Sequence, residues 1–223
     1  MTPVIFIALG VGVVAAIGAA AFAAGRRRQA ALAEYCLVRG YRLERERRGA
    51  QDAFAGAFAI FRQGHSRRWR WTISGSMGSR AFTAFEYSYV TGGGNSTHRH
   101  RFAMLLWEAA DAHLPPFSLV PEGFLHRLGQ RFGVKDFDFD EDPEFSRAYQ
   151  LQGDDEARVR ALFTPGRRAF LTAPGLEGDK PSRHHLAGAG PRLVWWRDGG
   201  LPGADRLDQF LADGDAVRRQ FLP

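Results

Sequence analysis

The chain has 223 residues, among them five Trp and eighteen Phe, and a formal net charge of +6. Aromatic residues spread along its length exclude general disorder, and the length allows one substantial domain with a real core. A single cysteine, Cys36, excludes an internal disulfide and agrees with a reducing compartment.

In chain order, the first element is an apolar run, Val4–Ala24, with no charged side chain. As a helix rising about 1.5 Å per residue it measures about 31 Å, close to the hydrocarbon thickness of a bilayer. Arg26, Arg27 and Arg28 follow at once, whereas Met1, Thr2 and Pro3 bear no charged side chain. The positive-inside rule therefore makes Arg26, Arg27 and Arg28 the orienting residues of a single-pass segment and puts the body of the chain in the cytoplasm, at the inner membrane. The competing reading is a cleaved secretory signal, for which Ala21, Phe22 and Ala23 spell an A-x-A site. A signal's charges precede its apolar core, and here they follow it. Gly12, Ala16, Ala20 and Ala24 share a helical stripe that would let two spanning helices approach, although the stricter G-x-x-x-G spacing is absent.

Basic charge is concentrated next to this run. Arg26–Arg101 holds fifteen arginines against five acids, while Phe102–Pro223 holds fifteen bases against nineteen acids. Anionic lipid head groups attract membrane-proximal arginines by about 1 kcal/mol each, so lipid is a simpler partner for this charge than nucleic acid, which is not expected. The stretch from Arg26 to Val38 reads as a helix continuing out of the bilayer and stopped at Gly40, and Ala50–Gly56 reads as loose. Cys36 lies on that helix and reads as an ordinary thiol rather than a lipidation site.

Beyond it the period changes. Trp69, Trp71 and Ile73 alternate with Arg70 and Thr72, Gly75–Gly78 turns, and Phe82–Val90 is aromatic and β-branched, which predicts strand, turn, strand. Gly92, Gly93 and Gly94 supply a hairpin tip before a third strand near Thr97–Trp107. After Pro115 and Pro116 come a short strand, Phe117–Val120, and a helix opened by Pro121, with Phe124, Leu125, Leu128 and Phe132 on one face. Asp154, Asp155 and Glu156 open a helix that buries Val159, Leu162 and Phe163 and ends or restarts at Thr164 and Pro165. Arg183–Arg197 reads as a late hairpin with Trp195 and Trp196, and Ala204–Leu222 as a closing helix weakened at Gly214. Clustered strands predict an α+β fold: an N-terminal transmembrane helix, then an antiparallel sheet packed with a few helices. The divisions are 1–25 for the anchor, 26–56 for a juxtamembrane basic helix and linker, and 57–223 for the soluble α+β domain.

The series Asp142, Pro143, Glu144, Phe145, Tyr149, Leu151, Gly153, Asp154, Asp155, Arg158, Leu162, Phe163, Thr164, Pro165 resembles a segment of uncharacterised bacterial membrane-anchored proteins carrying a domain of unknown function. There a D-P-x-F, a short strand and an acid-started helix ending near T-P follow a hydrophobic anchor. The resemblance implies a membrane-associated protein and supplies no catalytic residue. It departs in one respect: the family's usual second membrane segment is not visible here.

Motifs for chemistry fail one by one. Asp136, Asp138 and Asp140 begin like a calcium loop, but the sixth position is Glu141 instead of Gly and the twelfth is Arg147 instead of Glu. Their alternation with Phe137 and Phe139 fits a strand with its rings inward. His98 with His100, and His184 with His185, have no third ligand at zinc spacing and read as surface histidines. Ser74–Gly78 misses the nucleophile elbow, and Gly92–Gly94 lacks the Lys of a phosphate-binding loop. No cofactor is expected.

Arg67, Arg68, Trp69 and Arg70 interleave basic and aromatic groups, and together with Trp195 and Trp196 they form the candidate lipid or partner surface. The expected function is that of a membrane-anchored cytosolic binding or scaffold protein, non-enzymatic, engaging a protein partner or an anionic lipid surface. The alternative is a membrane-tethered hydrolase or metal-dependent enzyme using Asp136, Asp138, Asp140, His98 or His100.

Overall fold

A computed structural model describes residues 2–47, 49–94, 96–124, 136–174 and 184–222; within the first helix, the side chains of residues 2–17 and 21 are not described. In chain order the elements are α1 (Thr2–Arg39), β1 (Arg42–Glu46), two 3-10 turns (Ala50–Ala53 and Ala59–Arg62), β2 (His65–Met77), β3 (Arg80–Gly93), β4 (Ser96–Glu108) and β5 (Leu114–Pro121). Then come α2 (Pro143–Ala148), β6 (Tyr149–Gly153), α3 (Glu156–Leu162), α4 (Pro165–Thr172), β7 (His185–Gly190), β8 (Arg192–Asp198) and α5 (Ala204–Phe221). The fold is α+β. Its described strands form one eight-stranded sheet in the order β1-β2-β3-β4-β8-β7-β5-β6, every neighbouring pair antiparallel.

α1 runs unbroken to Arg39, where Gly40 stops it with a left-handed φ of 68° that only glycine adopts without strain. Much of Val4–Ala24 falls outside the described side chains. Among the described residues no helix is long and apolar enough to cross a membrane, because the described part of α1 carries Arg26, Arg27, Arg28, Glu34 and Arg39. The C-terminal half of α1 is no free linker. Leu32 and Cys36 are buried in the core, and Phe54 packs against Trp69, so 26–56 folds together with the rest.

The sheet is covered on both faces. On the first, α1 to α5 bury Leu32, Phe145, Val159, Leu171, Leu207 and Phe221 against Trp71, Leu105, Leu119, Leu186 and Trp195. On the second, Phe58, Ile60 and Phe61 close over Trp69, Phe85, Tyr87, Phe102, Met104 and Trp196. The second face is a pile of rings: Trp69 lies on Phe85 at 3.5 Å and an interplanar angle of 9°, with Phe61 stacked on Trp69 at 5.7 Å.

Simple alternation predicts Trp69, Trp71 and Ile73 on one side of β2. A register shift between Arg70 and Ile73, with Trp71 at a φ of 52°, sends Trp69 to the second face and Trp71 with Ile73 to the first. Gly214 is likewise no defect of α5. A Cβ there would meet Leu105 and Trp195 closer than real atoms approach, so glycine permits the helix to sit on the sheet. Leu125, Leu128 and Phe132, expected on a helical face, lie outside the described residues, as does Arg183; Phe124 itself is buried.

The D-P-x-F to T-P series has structural work to do. Asp142 caps α2 by accepting from the Phe145 N–H at 3.2 Å and pairs with the buried Arg168 at 2.8 Å, while Arg168 lies 4.2 Å above the Phe139 ring. The Tyr149 hydroxyl donates to the Leu171 carbonyl at 2.9 Å, and Asp155 caps α3 through the Arg158 N–H at 3.1 Å. Pro165 opens α4 in its first turn, which makes Thr164–Pro165 a restart.

Candidate interaction surface and apolar groove

Two ion pairs and a hydroxyl clamp α1 to the domain. Arg28 donates to the Leu201 carbonyl, lies 3.8 Å from the Glu86 carboxylate and stands over the Trp71 ring at 5.8 Å. Glu86, 7% exposed in its side chain, also receives Arg101 at 2.9 Å. One turn and two turns further along the same face of α1, Leu32 and Cys36 enter the core, and Tyr35 and Arg39 both donate to Asp208 of α5 at 2.6 Å. Burial and, after it, hydrogen bonding to Asp208 push the Tyr35 hydroxyl well above its ordinary range. Glu86 was visible as a lone acid in the aromatic strand Phe82–Val90, the signature of a buried pair, but its partner on α1 lies far away in sequence.

The orienting residues divide. Arg26 and Arg27 are exposed, whereas Arg28 is half-buried and spends its guanidinium on the domain. The surface composed of Arg67, Arg68, Trp69, Arg70, Trp195 and Trp196 loses its aromatic part. Trp69 is 1% exposed, Trp195 0% and Trp196 2%, because both faces of the sheet are covered and strand indoles belong to core on either side. Arg67 and Arg68 are exposed and Arg70 half-buried.

The histidines also depart from expectation. His184 and His185 are buried, and strand alternation points them to opposite faces: His184 Nδ1 accepts from Trp195 Nε1 at 3.1 Å on the first, and His185 packs against Trp196 and Phe124 on the second. Burial, with Arg197 nearby, lowers the His184 pKa to about 4, so it is neutral and carries its proton on Nε2. His98 is exposed; His100 meets the Thr91 hydroxyl at 2.8 Å and stacks on Tyr89. Asp136, Asp138 and Asp140 are exposed while Phe137 and Phe139 are buried, though only a single bridge, Asp136 with Gln152, pairs this stretch to β6. That bridge is at the sheet edge, with β5, β7 and β8 between it and the histidines of β4. Among the described residues no group of three His, Cys, Asp or Glu could hold a metal ion.

A groove of about 360 Å³ opens on the second face between the 3-10 turns and strands β5 to β8. Phe58, Ile60, Val120, Phe124 and Trp196 make its apolar walls, with Ser118, Gln152, Asp154 and Arg62 as polar members. Among the described residues, the buried Nε1 of Trp196 has no hydrogen-bond partner. Apolar walls of this kind suit an apolar group.

No family model and no curated protein matches this chain. Its fold is similar to a solved structure titled as the mycobacterial trehalose monomycolate transport factor A, TtfA, with a TM-score of 0.56 and 10% identity over 88% of this chain and 91% of that one. At that identity the likeness is one of fold.

Proposed function

We propose that the chain is a single-pass, membrane-anchored binding or scaffold protein. The first half of α1 spans the inner membrane, Arg26, Arg27 and Arg28 hold the domain on the cytoplasmic side, and the domain engages a protein partner or an anionic lipid surface. The observation that carries this reading is the continuity of α1. Its second half is clamped by Arg28, Leu32, Cys36 and Arg39, so the apolar run leaves the domain as the extension of a fixed helix. A bilayer's hydrocarbon matches an apolar run of this length. The fold likeness to a transport factor supports a role in binding more than one in catalysis.

Fractionation of cells expressing the full chain tests the reading. The chain is expected to stay with membranes through alkaline carbonate washing and to become protease-sensitive only when the cytoplasmic side is opened. A mature form beginning past Ala23, free in an extracytoplasmic fluid, overturns it.

A further inference from the structure

α1 and the β3–β4 hairpin leave the core at the same end of the sheet. From Tyr41 back to Arg28, α1 passes first Phe82 and then Glu86 on β3, so its N-terminal direction matches the course of β3 toward Gly93. The register of β3 on β4 is continuous from Thr83–Leu106 to Gly93–Ser96, and β2 pairs Arg68 with Ser88. Cross-strand partners share a face, so Arg68, Ser88 and Arg101 stand on the side of Glu86 and α1, and Arg99, two residues from Arg101, stands there too. Arg68 and Arg99 are exposed, and no acid occurs in Arg62–Trp71 or in Tyr87–Arg101. The tip itself, Thr91–Thr97, is glycine-rich and uncharged.

Lengths then decide where this end lies. Resting on the anchored reading above, Ala24 marks the edge of the hydrocarbon, about 6 Å of helix beyond Arg28. From Glu86 the hairpin runs seven residues to Gly93, about 23 Å. A hairpin parallel to α1 would carry its tip about 17 Å into the hydrocarbon, where open strand edges are excluded, so the arrangement compatible with the anchor is a hairpin leaning outward across the head-group layer. We infer that the β3–β4 hairpin end of the sheet is a docking surface for anionic lipid head groups, with Arg68 and Arg99 as its contacts beside the root of α1. The domain is thereby held at two points, the helix and the hairpin, and presents a fixed face to its surroundings. The opposite end of the sheet, at the Gly78–Ser79 turn, is about 45 Å from the tip and faces away.

The test reconstitutes the full chain in phosphatidylcholine bilayers with or without phosphatidylglycerol, with a quencher on the lipid head group. A fluorophore is placed on Thr97→Cys or, as the distal control, on Ser79→Cys; the wild-type chain, whose Cys36 thiol is buried, is the labelling blank. The label at 97 should be quenched in the anionic bilayer and the label at 79 should not. Quenching at 97 should fall toward the level at 79 in about 1 M salt, where the Debye length is about 3 Å. The double variant Arg68→Gln/Arg99→Gln should lose it as well, while inserting as before. Equal signals at 97 and 79, or quenching that is the same in neutral bilayers or appears only with an added protein, overturns the inference alone. Failure of the chain to co-sediment with vesicles overturns the anchored reading and takes this inference with it.

Discussion

The two faces of the sheet are closed by different means. On the helix-covered face, polar groups are numerous and most are matched: Glu86 by Arg28 and Arg101, Asp142 by Arg168, Asp213 by Arg197 at 2.8 Å, His184 by Trp195, with Trp107 Nε1 and Arg28 Nε left over among the described residues. On the other face stacked rings do the closing. There the buried hydroxyls of Tyr87 and Tyr89 have no hydrogen-bond partner among the described residues, and burial holds both well above the ordinary tyrosine range. A helix brings orphaned backbone ends and charged termini that must be capped, so its face is built from reciprocal pairs. Rings stack without such demands, and they leave a groove where the short 3-10 cover runs out.

If that contrast holds, deleting a ring should harm the second face most, and deleting a polar group should harm only the first. Trp69→Ala removes the centre of the stack and should cost about 4 kcal/mol, read as a lowered denaturant midpoint. Asp142→Ala leaves the Arg168 guanidinium, 5% exposed in its side chain, with the Phe163 carbonyl and, as its one remaining acid, the exposed Glu141, and also uncaps α2; about 3 kcal/mol should be lost, with Asp142→Asn recovering the cap but not the charge.

His184 sharpens the contrast through pH. Its folded pKa, about 4, lies below its ordinary value of 6.5, so its contribution is present above pH 6.5 and is lost as the pH falls toward 4. The full loss is about 3 kcal/mol, and His184→Gln should flatten that part of the stability profile. The smallest effect belongs to Tyr87→Phe. Removing an unmatched buried hydroxyl should change stability by less than about 1 kcal/mol, and in the favourable direction. A Tyr87→Phe loss as large as that of Asp142→Ala would break the distinction between the faces.

Much of the first order of structure was legible. Gly40 ends α1, Gly92–Gly94 turn β3 into β4, and Asp155 opens α3, each where local residue chemistry places it. Other features were hidden because they depend on partners far away in sequence. The Trp71 bulge answers to two cores at once, since without it Trp69 and Trp71 would compete for one face. His184 and His185 read as surface residues because nothing adjacent reveals that β7 lies inside the sheet, between β8 and β5. The candidate surface was half legible for the same reason: Arg67 and Arg68 are exposed, while Arg70 is half-buried and the tryptophans are buried.

By itself the sequence determined the apolar run, the arginines crowded behind it, the turns and the caps, and so an α+β chain of paired strands and short helices. These follow from spacing, backbone freedom and local hydrogen bonding, which act over a few residues. Only the tertiary structure decided the strand order, which indoles are buried, and that Arg28 and Glu86 meet to hold α1 against the sheet. Burial and buried charge are settled by contacts between distant segments, where the cost of leaving a group unmatched in a dry interior outweighs local preference.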